Sequence, residues 1–412
     1  MGSKIQLKQE EEQIQSNPYR EDYRRRKGME PRKKKLLQLL IAAAAVYIIY
    51  VIVPLPVANS LDYIFTIRMS PAQYADELRS SVQSLGIILS GQDLSDTLGY
   101  TEWLSVEEKL RDILWGICAL AVGAGLSVTG AVFQGSFRNS IASPTTLGVM
   151  SGGTLGSTIY IMWGSAWFGG GIGNQLSEFT GMSSLGAGKF LFVLIGCFGA
   201  VLFTGGVAKL ASRGGRISMV TLIVVGMVFS TAVSTVSQYI QMYVNTTDPY
   251  GSKAAQLQTA MAGRMSEGAV WIVVVVVAAV VTFLILSAKR LNLIVFGEDE
   301  ARAMGINVSR TRNIMMALCT VMTAVIIAAC GGIGFVGLII PHITRRVVGS
   351  DFRYLLPGCV MIGGIFVLIC QWIPPISWMS SAHVSDYTSI VGGAVFLFMI
   401  IRNRRQSHAD WA

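Results

Sequence analysis

The stretch Ile314-Met-Met-Ala-Leu-Cys-Thr-Val-Met-Thr-Ala-Val-Ile-Ile-Ala-Ala-Cys330-Gly331-Gly332-Ile333-Gly334-Phe335-Val-Gly337-Leu-Ile-Ile-Pro341-His342-Ile-Thr344 is almost continuously apolar, and arginines close it on both sides. Arg310 and Arg312 precede it; Arg345 and Arg346 follow. As a single helix of about 31 residues it would run about 46 Å, too long for a hydrocarbon core of about 30 Å. Basic flanks mark the cytoplasmic side of a span. Two basic flanks on one side demand an even number of crossings, so the chain breaks at Gly331-Gly332 into one span out and a short span back over 333–344. Short or glycine-interrupted spans occur where they line a cavity or are buried in protein. Both placements fit this stretch equally.

Working outward, further apolar runs lie near 36–57, 113–136, 145–163, 190–208, 217–244, 269–288, 354–373 and 388–401, none with Asp, Glu, Lys or Arg in its interior. With the two halves of 314–344 they make ten spans, most of them near the roughly 20 residues a bilayer needs. Composition agrees: 52% of the 412 residues are apolar and 14% charged, against roughly 25% charged in a soluble domain. Such a chain is neither a water-soluble enzyme nor disordered. It is all-α and polytopic.

Threaded from an inside N-terminus, the segments 1–35, 137–144, 209–216, 289–313, 345–353 and 402–412 fall inside and carry 26 of the 33 Lys and Arg. Seven remain outside. The net charge of +9 is thus a topology signal, and no nucleic acid is needed to explain it. Residues 1–35 form a basic N-terminal tail, 36–405 a transmembrane domain and 406–412 a C-terminal tail, with 58–112 outside and 289–313 the longest inside loop between spans. The run 36–57 is too long for a signal peptide behind so long a polar tail, so it reads as the first span.

Gly148, Gly152 and Gly156 recur every four residues, and Gly123, Gly130 and Gly135 thin the preceding helix. Close helix packing accounts for both sets. The six cysteines sit in apolar runs without a CxxC pair, so they read as small buried residues.

The three histidines, His342, His383 and His408, form no metalloprotease or hydrolase pattern and no metal cluster. Gly186-Ala187-Gly188-Lys189 lacks the hydroxyl residue that follows the lysine of a phosphate loop, and it falls on the outside. No carboxylate lies deep in a span, as a proton relay would require. An uncharged bundle without a nucleotide motif fits a permease whose energy comes from a partner. An ion-gradient-driven secondary transporter, with a site built from backbone carbonyls, is the alternative.

Two stretches carry a resemblance. The first is Gly123-Ala-Gly-Leu-Ser-Val-Thr-Gly130-Ala-Val-Phe-Gln134-Gly-Ser-Phe-Arg138-Asn139, continuing to Pro144 and Leu147-Gly148-Val149. The second is Gly297-Glu298-Asp-Glu-Ala301-Arg-Ala-Met304-Gly305-Ile-Asn307-Val, followed by Gly334-Phe335-Val-Gly337-Leu-Ile-Ile-Pro341-His342-Ile-Thr-Arg345, Gly349-Ser-Asp351 and Leu355-Leu356-Pro357. In order and spacing these resemble the FecCD family, the permeases of ABC importers for ferric siderophores, haem and vitamin B12. The resemblance covers roughly 110–405. It implies a vitamin B12-permease-like fold of about ten helices in a bacterial or archaeal cell (inner) membrane, with both termini cytoplasmic. It further implies a second copy or a sister permease, two ATPase subunits inside that hold ATP and Mg, and a substrate-binding protein outside. This chain itself would hold no cofactor or metal. The implied cargo is an iron–siderophore complex, haem or a corrinoid.

The resemblance also implies site residues. Glu298 to Gly305 is similar to the helix that enters a cleft of the ATPase. Read by itself this segment is charged and short; Ala301 and Met304 lie three apart and can present one apolar face, and Gly305 can end the helix in a left-handed turn. Arg138, Asn139, Pro341, His342 and Arg345 belong to the cytoplasmic motif. Ser230, Ser234, Ser237 and Gln241 fall on one face of the 217–244 helix, with Thr231, Thr235 and Gln238 beside them. Hydroxyls gain nothing against lipid, so this stripe meets either a packed helix or a hydrated cavity; the resemblance favours the translocation path. The chain departs from the family pattern at Asn139-Ser140-Ile141-Ala142 and at Gly331-Gly332-Ile333-Gly334-Phe335, and on two outer elements, at Arg111-Asp112-Ile113-Leu114-Trp115 and at His383-Val384-Ser385-Asp386-Tyr387. Arg111, with Lys109, is the expected contact for the binding protein.

Overall fold

The computed structural model describes residues 18–52, 100–140, 142–144, 147–164, 184–211, 219–247, 267–373 and 384–403, and every regular element among them is helical. In chain order these are α1 (Pro18–Ile52), α2 (Tyr100–Phe137), α3 (Val149–Ile159, running into a π-helical turn Tyr160–Gly164), α4 (Ser184–Ala211), α5 (Met219–Thr247) and α6 (Glu267–Leu286). There follow α7 (Ala288–Phe296), α8 (Glu298–Ala303), α9 (Val308–Cys330), α10 (Val336–Val348), α11 (Phe352–Trp372) and α12 (Val384–Asn403). Most of the described part of each of the ten apolar runs lies on a helix; α7 and α8 are the two additional short ones. Among the described residues six helices, α2, α4, α5, α6, α9 and α11, are long and apolar enough to cross a membrane.

The decisive stretch breaks where its glycines stand. α9 ends at Cys330 and α10 starts at Val336, with Gly331 at φ +75° and Phe335, the residue before α10, at φ +65°. A left-handed conformation is costly for a bulky side chain, and at this break it aims the chain back into the bundle. α10 has 13 residues, about 20 Å of helix. It packs against α2 and α11, the protein-lined setting that a short span needs.

α2 is the central helix, touching α6, α9, α10 and α11. Its glycines decide how near these helices come: a Cβ on Gly130 would stand 1.7 Å from the Gly337 carbonyl oxygen, and one on Gly123 2.0 Å from that of Gly363. Ser127 Oγ donates to the Cys359 carbonyl across the same seam at 2.7 Å. The glycine spacing therefore marks packing, as it does in α3, where a Cβ on Gly152 would stand 2.3 Å from Gly196 O of α4.

Residues 100–112, the end of the polar stretch 58–112, lie on α2, which begins at Tyr100, because nothing between Tyr100 and the apolar run breaks helix. The rest of the 58–112 region lies outside the described residues, as do residues 1–17 of the N-terminal tail and the C-terminal tail 406–412.

Candidate functional site

Four of the segments placed inside by their charge meet at one end of the bundle. Lys35 Nζ donates to the Val347 carbonyl of α10 at 2.9 Å, and the Arg32 guanidinium lies 5.9 Å from the centre of the Tyr354 ring. Arg138 Nη2 donates to the Ile294 carbonyl of α7 at 3.0 Å. Asn292 Nδ2 donates to Asp351 Oδ1 at 2.7 Å, while Asn292 Oδ1 accepts from the Phe352 amide at 2.9 Å. These contacts bring residues 32–35, 138, 292–294 and 347–354 together at that end.

The α7–α8 pair dominates that surface. α7 buries Ala288, Leu291 and Ile294 and leaves Phe296 90% exposed. α8 follows after Gly297 and ends in a turn closed by Gly305 at φ +80°, the left-handed ending its glycine allows. Asn307 then caps α9, its Oδ1 accepting from the Arg310 amide at 3.0 Å.

Ala301 corrects the expectation for this loop. It is fully buried and packs with Ile294 and Val308, because the α8 turn folds its small side chain under the elbow of α7 and α9. It cannot join Met304 on an apolar face offered to a partner. Asp299, Glu300, Arg302, Ala303, Met304 and Gly305 are exposed, and Arg302 makes a solvent-exposed ion pair with Asp299 at 3.6 Å. Glu298 opens α8; its side chain lies outside the described residues.

The cytoplasmic motif residues surround a single device. Pro341 has no N–H, so within α10 the carbonyl four residues earlier, Gly337 O, loses its helical partner. Gln134 of α2 fills the gap, its Nε2 donating to Gly337 O at 3.3 Å and Leu338 O at 3.0 Å. Arg345 Nη1 in turn donates to Gln134 Oε1 at 2.5 Å. The Asn139 amide donates to Gln134 O at 3.1 Å, which closes the end of α2, and His342 is half-buried on α10 beside Pro341. Sequence reading included Gln134 in the motif without giving it a role, and it passed over Asn292. The available signal for Asn292 was its position as one polar side chain in the run Leu291 to Phe296.

On α5 the stripe splits. Ser237 is buried and Ser230 half-buried, on the face toward α3, where Gly148 meets Phe229 and Ser230. Both hydroxyl oxygens are buried without a hydrogen-bond partner. Thr231, Ser234, Thr235 and Gln238 are exposed and Gln241 is half-buried. Ser230, Ser234, Ser237 and Gln241 therefore do not form one open face; the packing boundary with α3 runs through them. Thr231 and Thr235 donate to Met227 O at 3.0 Å and Thr231 O at 2.9 Å within their own helix, so outward they offer acceptor lone pairs. The opposite flank of α5 is apolar, with Val228, Ala232 and Val236 bordering a groove of about 550 Å³ against Leu155 and Phe203.

Lys109 and Arg111 lie on the first turns of α2, and their side chains are outside the described residues. Among the described residues no three His, Cys, Asp or Glu side chains gather as a metal site.

Comparison with known proteins agrees with this architecture. Residues 114–402 match the FecCD transport family. The cobalamin import system permease protein of Halobacterium salinarum is 30% identical over 292 residues, 69% of this chain and 70% of that protein. The molybdate import system permease protein of Haemophilus influenzae is 29% identical, over 70% of this chain and 79% of its own length. The hemin transport system permease protein of Yersinia pestis is 27% identical, over 74% and 84%. A solved transporter described as of the metal-chelate ABC type, in an inward-facing conformation, shares the fold at a TM-score of 0.61 and 23% identity, over 90% of this chain and 99% of its own.

Proposed function

The chain belongs to the FecCD transport family, and from that premise we propose that it carries a bulky organic metal chelate into the cytoplasm, an iron–siderophore complex before haem or a corrinoid. It is a membrane permease of the ABC import type, which sets aside the gradient-driven alternative. The observation that supports a chelate is the exposed flank of α5: Thr231, Ser234, Thr235 and Gln238, on a helix of 29 residues without a charged side chain. Many weak, uncharged hydrogen-bonding groups suit the broad, mixed surface of a chelate or macrocycle. A small oxyanion such as molybdate calls for concentrated donors or cations.

Two ATPase subunits holding ATP and Mg supply the work and dock on the exposed face of α8. A second permease copy or sister permease closes the path beside α5. A binding protein delivers cargo outside, with Arg111 and Lys109 at its rim; charged rim pairs act mainly on association rate and salt dependence. The termini and the α7–α8 loop face the cytoplasm.

Reconstitution of the chain with its ATPase and binding protein tests the cargo, by uptake of a ferric hydroxamate, haem, cobalamin and molybdate offered separately. Uptake of a chelate and not of molybdate is expected; uptake of molybdate alone would overturn the assignment. For orientation, Ser309→Cys in a cysteine-free chain should react with an impermeant thiol reagent only from the cytoplasmic side, and labelling from outside would reverse the threading.

A further inference from the structure

α7 is tied to two spans by side chains that its own helix formation does not require. Arg138 stands just past the end of α2 at φ +49°, a backbone conformation uncommon and unfavourable for a residue with a Cβ. That conformation accompanies delivery of its guanidinium to Ile294 O at 3.0 Å. Ile294 lies in the last turn of α7, where carbonyls have no partner within the helix and the helix dipole favours a cation. Asn292, one turn earlier than Phe296, uses both ends of its amide on the start of α11: it donates to Asp351 Oδ1 and accepts from the Phe352 amide. Asp351 is meanwhile the N-cap of α11, accepting from the Arg353 amide at 3.0 Å. On its other side α7 shares the Ile294–Ala301–Val308 cluster with α8 and α9.

We propose that Arg138 and Asn292 are positioning residues that make α7 and α8 a rigid lever: a push on the exposed face of α8 moves the inner ends of α2 and α11 rather than being absorbed by a loop. The inference rests on α8 as the ATPase contact. It assigns Asn292 a role that the sequence motif does not include, and it gives the strained backbone at Arg138 a purpose other than stability.

The two residues can be separated from ordinary structural roles. Arg138→Gly removes the tether and at the same time relieves the left-handed backbone; a residue needed only for stability would show a lower melting temperature here. Asn292→Asp sets two carboxylates against each other. Adding Asp351→Asn removes that repulsion and restores the bond between the two side chains with donor and acceptor exchanged, at the expense of the Arg353 amide that shares Asp351 Oδ1; the Phe352 amide keeps its acceptor at position 292. The measurement is cargo transported per ATP hydrolysed by the complete permease–ATPase complex in liposomes, with its binding protein and with ferric hydroxamate, haem and cobalamin each offered as cargo.

For Arg138→Gly the expected result is an unchanged or higher melting temperature with transport per ATP lowered at least about fivefold, the lower end of coupling between distant sites. Asn292→Asp should lower the ratio similarly, and the double exchange should recover it. An unchanged ratio in Arg138→Gly, or a loss in Asn292→Asp that the exchange does not recover, overturns the lever. Failure of the unaltered chain to bind ATPase subunits gives a different signature and removes the coupling role of α8 itself.

Discussion

α2 and α5 are both apolar helices long enough to cross a membrane, yet the chain treats them in opposite ways. Of the spanning window of α2, 83% is buried within the chain; for α5 the figure is 17%. α2 is thinned by glycines where it meets α10 and α11, and Ser127 and Gln134 bond across those seams. α5 has hydroxyls with no buried partner on the side toward α3, exposed hydroxyls and an amide beside them, and an apolar groove on its other flank. In a bilayer, apolarity alone gives helices no reason to associate, so shape and hydrogen bonds decide which ones pack. α2 has that complementarity within the chain. α5 leaves most of its surface outside the packing of the described chain.

The largest effect expected comes from adding a side chain in the covered seam of α2 and on an open helix face. Gly130→Leu forces two backbones apart, at about 3 kcal/mol or more, the upper part of the range for overpacking. Membrane abundance should fall severely in an immunoblot of whole membranes. Gly206→Ala on α4, the neighbour of α5, with nothing within 4 Å of the new Cβ, should leave abundance unchanged or raise stability by up to about 1 kcal/mol. Equal losses at both sites would erase the distinction between covered and open helix faces.

Next comes the α8 elbow. Ala301→Glu should cost about 3 kcal/mol, because a carboxylate enters a site closed by Ile294 and Val308, and thermal stability should show it. Met304→Glu lies on the open side, 56% exposed. It should keep stability within about 0.5 kcal/mol while weakening ATPase association about tenfold, a 1.4 kcal/mol effect, read by co-purification. Normal assembly of Met304→Glu would move the coupling surface elsewhere.

Within α5 itself, Ser234→Trp should abolish uptake without lowering abundance, since the new ring stands in the exposed stripe. Ser237→Ala removes a buried hydroxyl that has no partner, so stability should rise by about 1 kcal/mol with uptake unaltered. Should Ser234→Trp transport normally, the stripe faces lipid or an inert neighbour. The smallest change is Thr231→Val. Its hydroxyl already bonds within the helix, so stability should stay within about 0.5 kcal/mol and uptake should fall only about twofold, about 0.4 kcal/mol.

The parts of this site that were readable in advance share a property: each is a local departure from what a bilayer tolerates. Gly331-Gly332 inside an overlong apolar run had to be a break, and Gly305 after a short charged segment had to be an ending. Ala301 was misplaced because an alanine three residues from a methionine has the same spacing whether it faces outward or inward. Ser237 was grouped with Ser234 for a similar reason, since helical geometry sets their shared face but not where the neighbouring helix stops covering it. The roles of Gln134 and Asn292 escaped notice because their partners lie about 200 and 60 residues away along the chain, beyond any periodicity.

Solvent therefore divides what each level determined. The apolar runs, their number and the basic residues between them were legible from residue type alone, because transfer of a charge into hydrocarbon is penalised wherever it occurs in the chain. Which face of α5 is covered, that Pro341 leaves a carbonyl for Gln134 to meet, and that Arg138 reaches the end of α7 required the assembled bundle. Helix packing and hydrogen bonding depend on approaches of a few ångströms between residues that the chain itself keeps far apart.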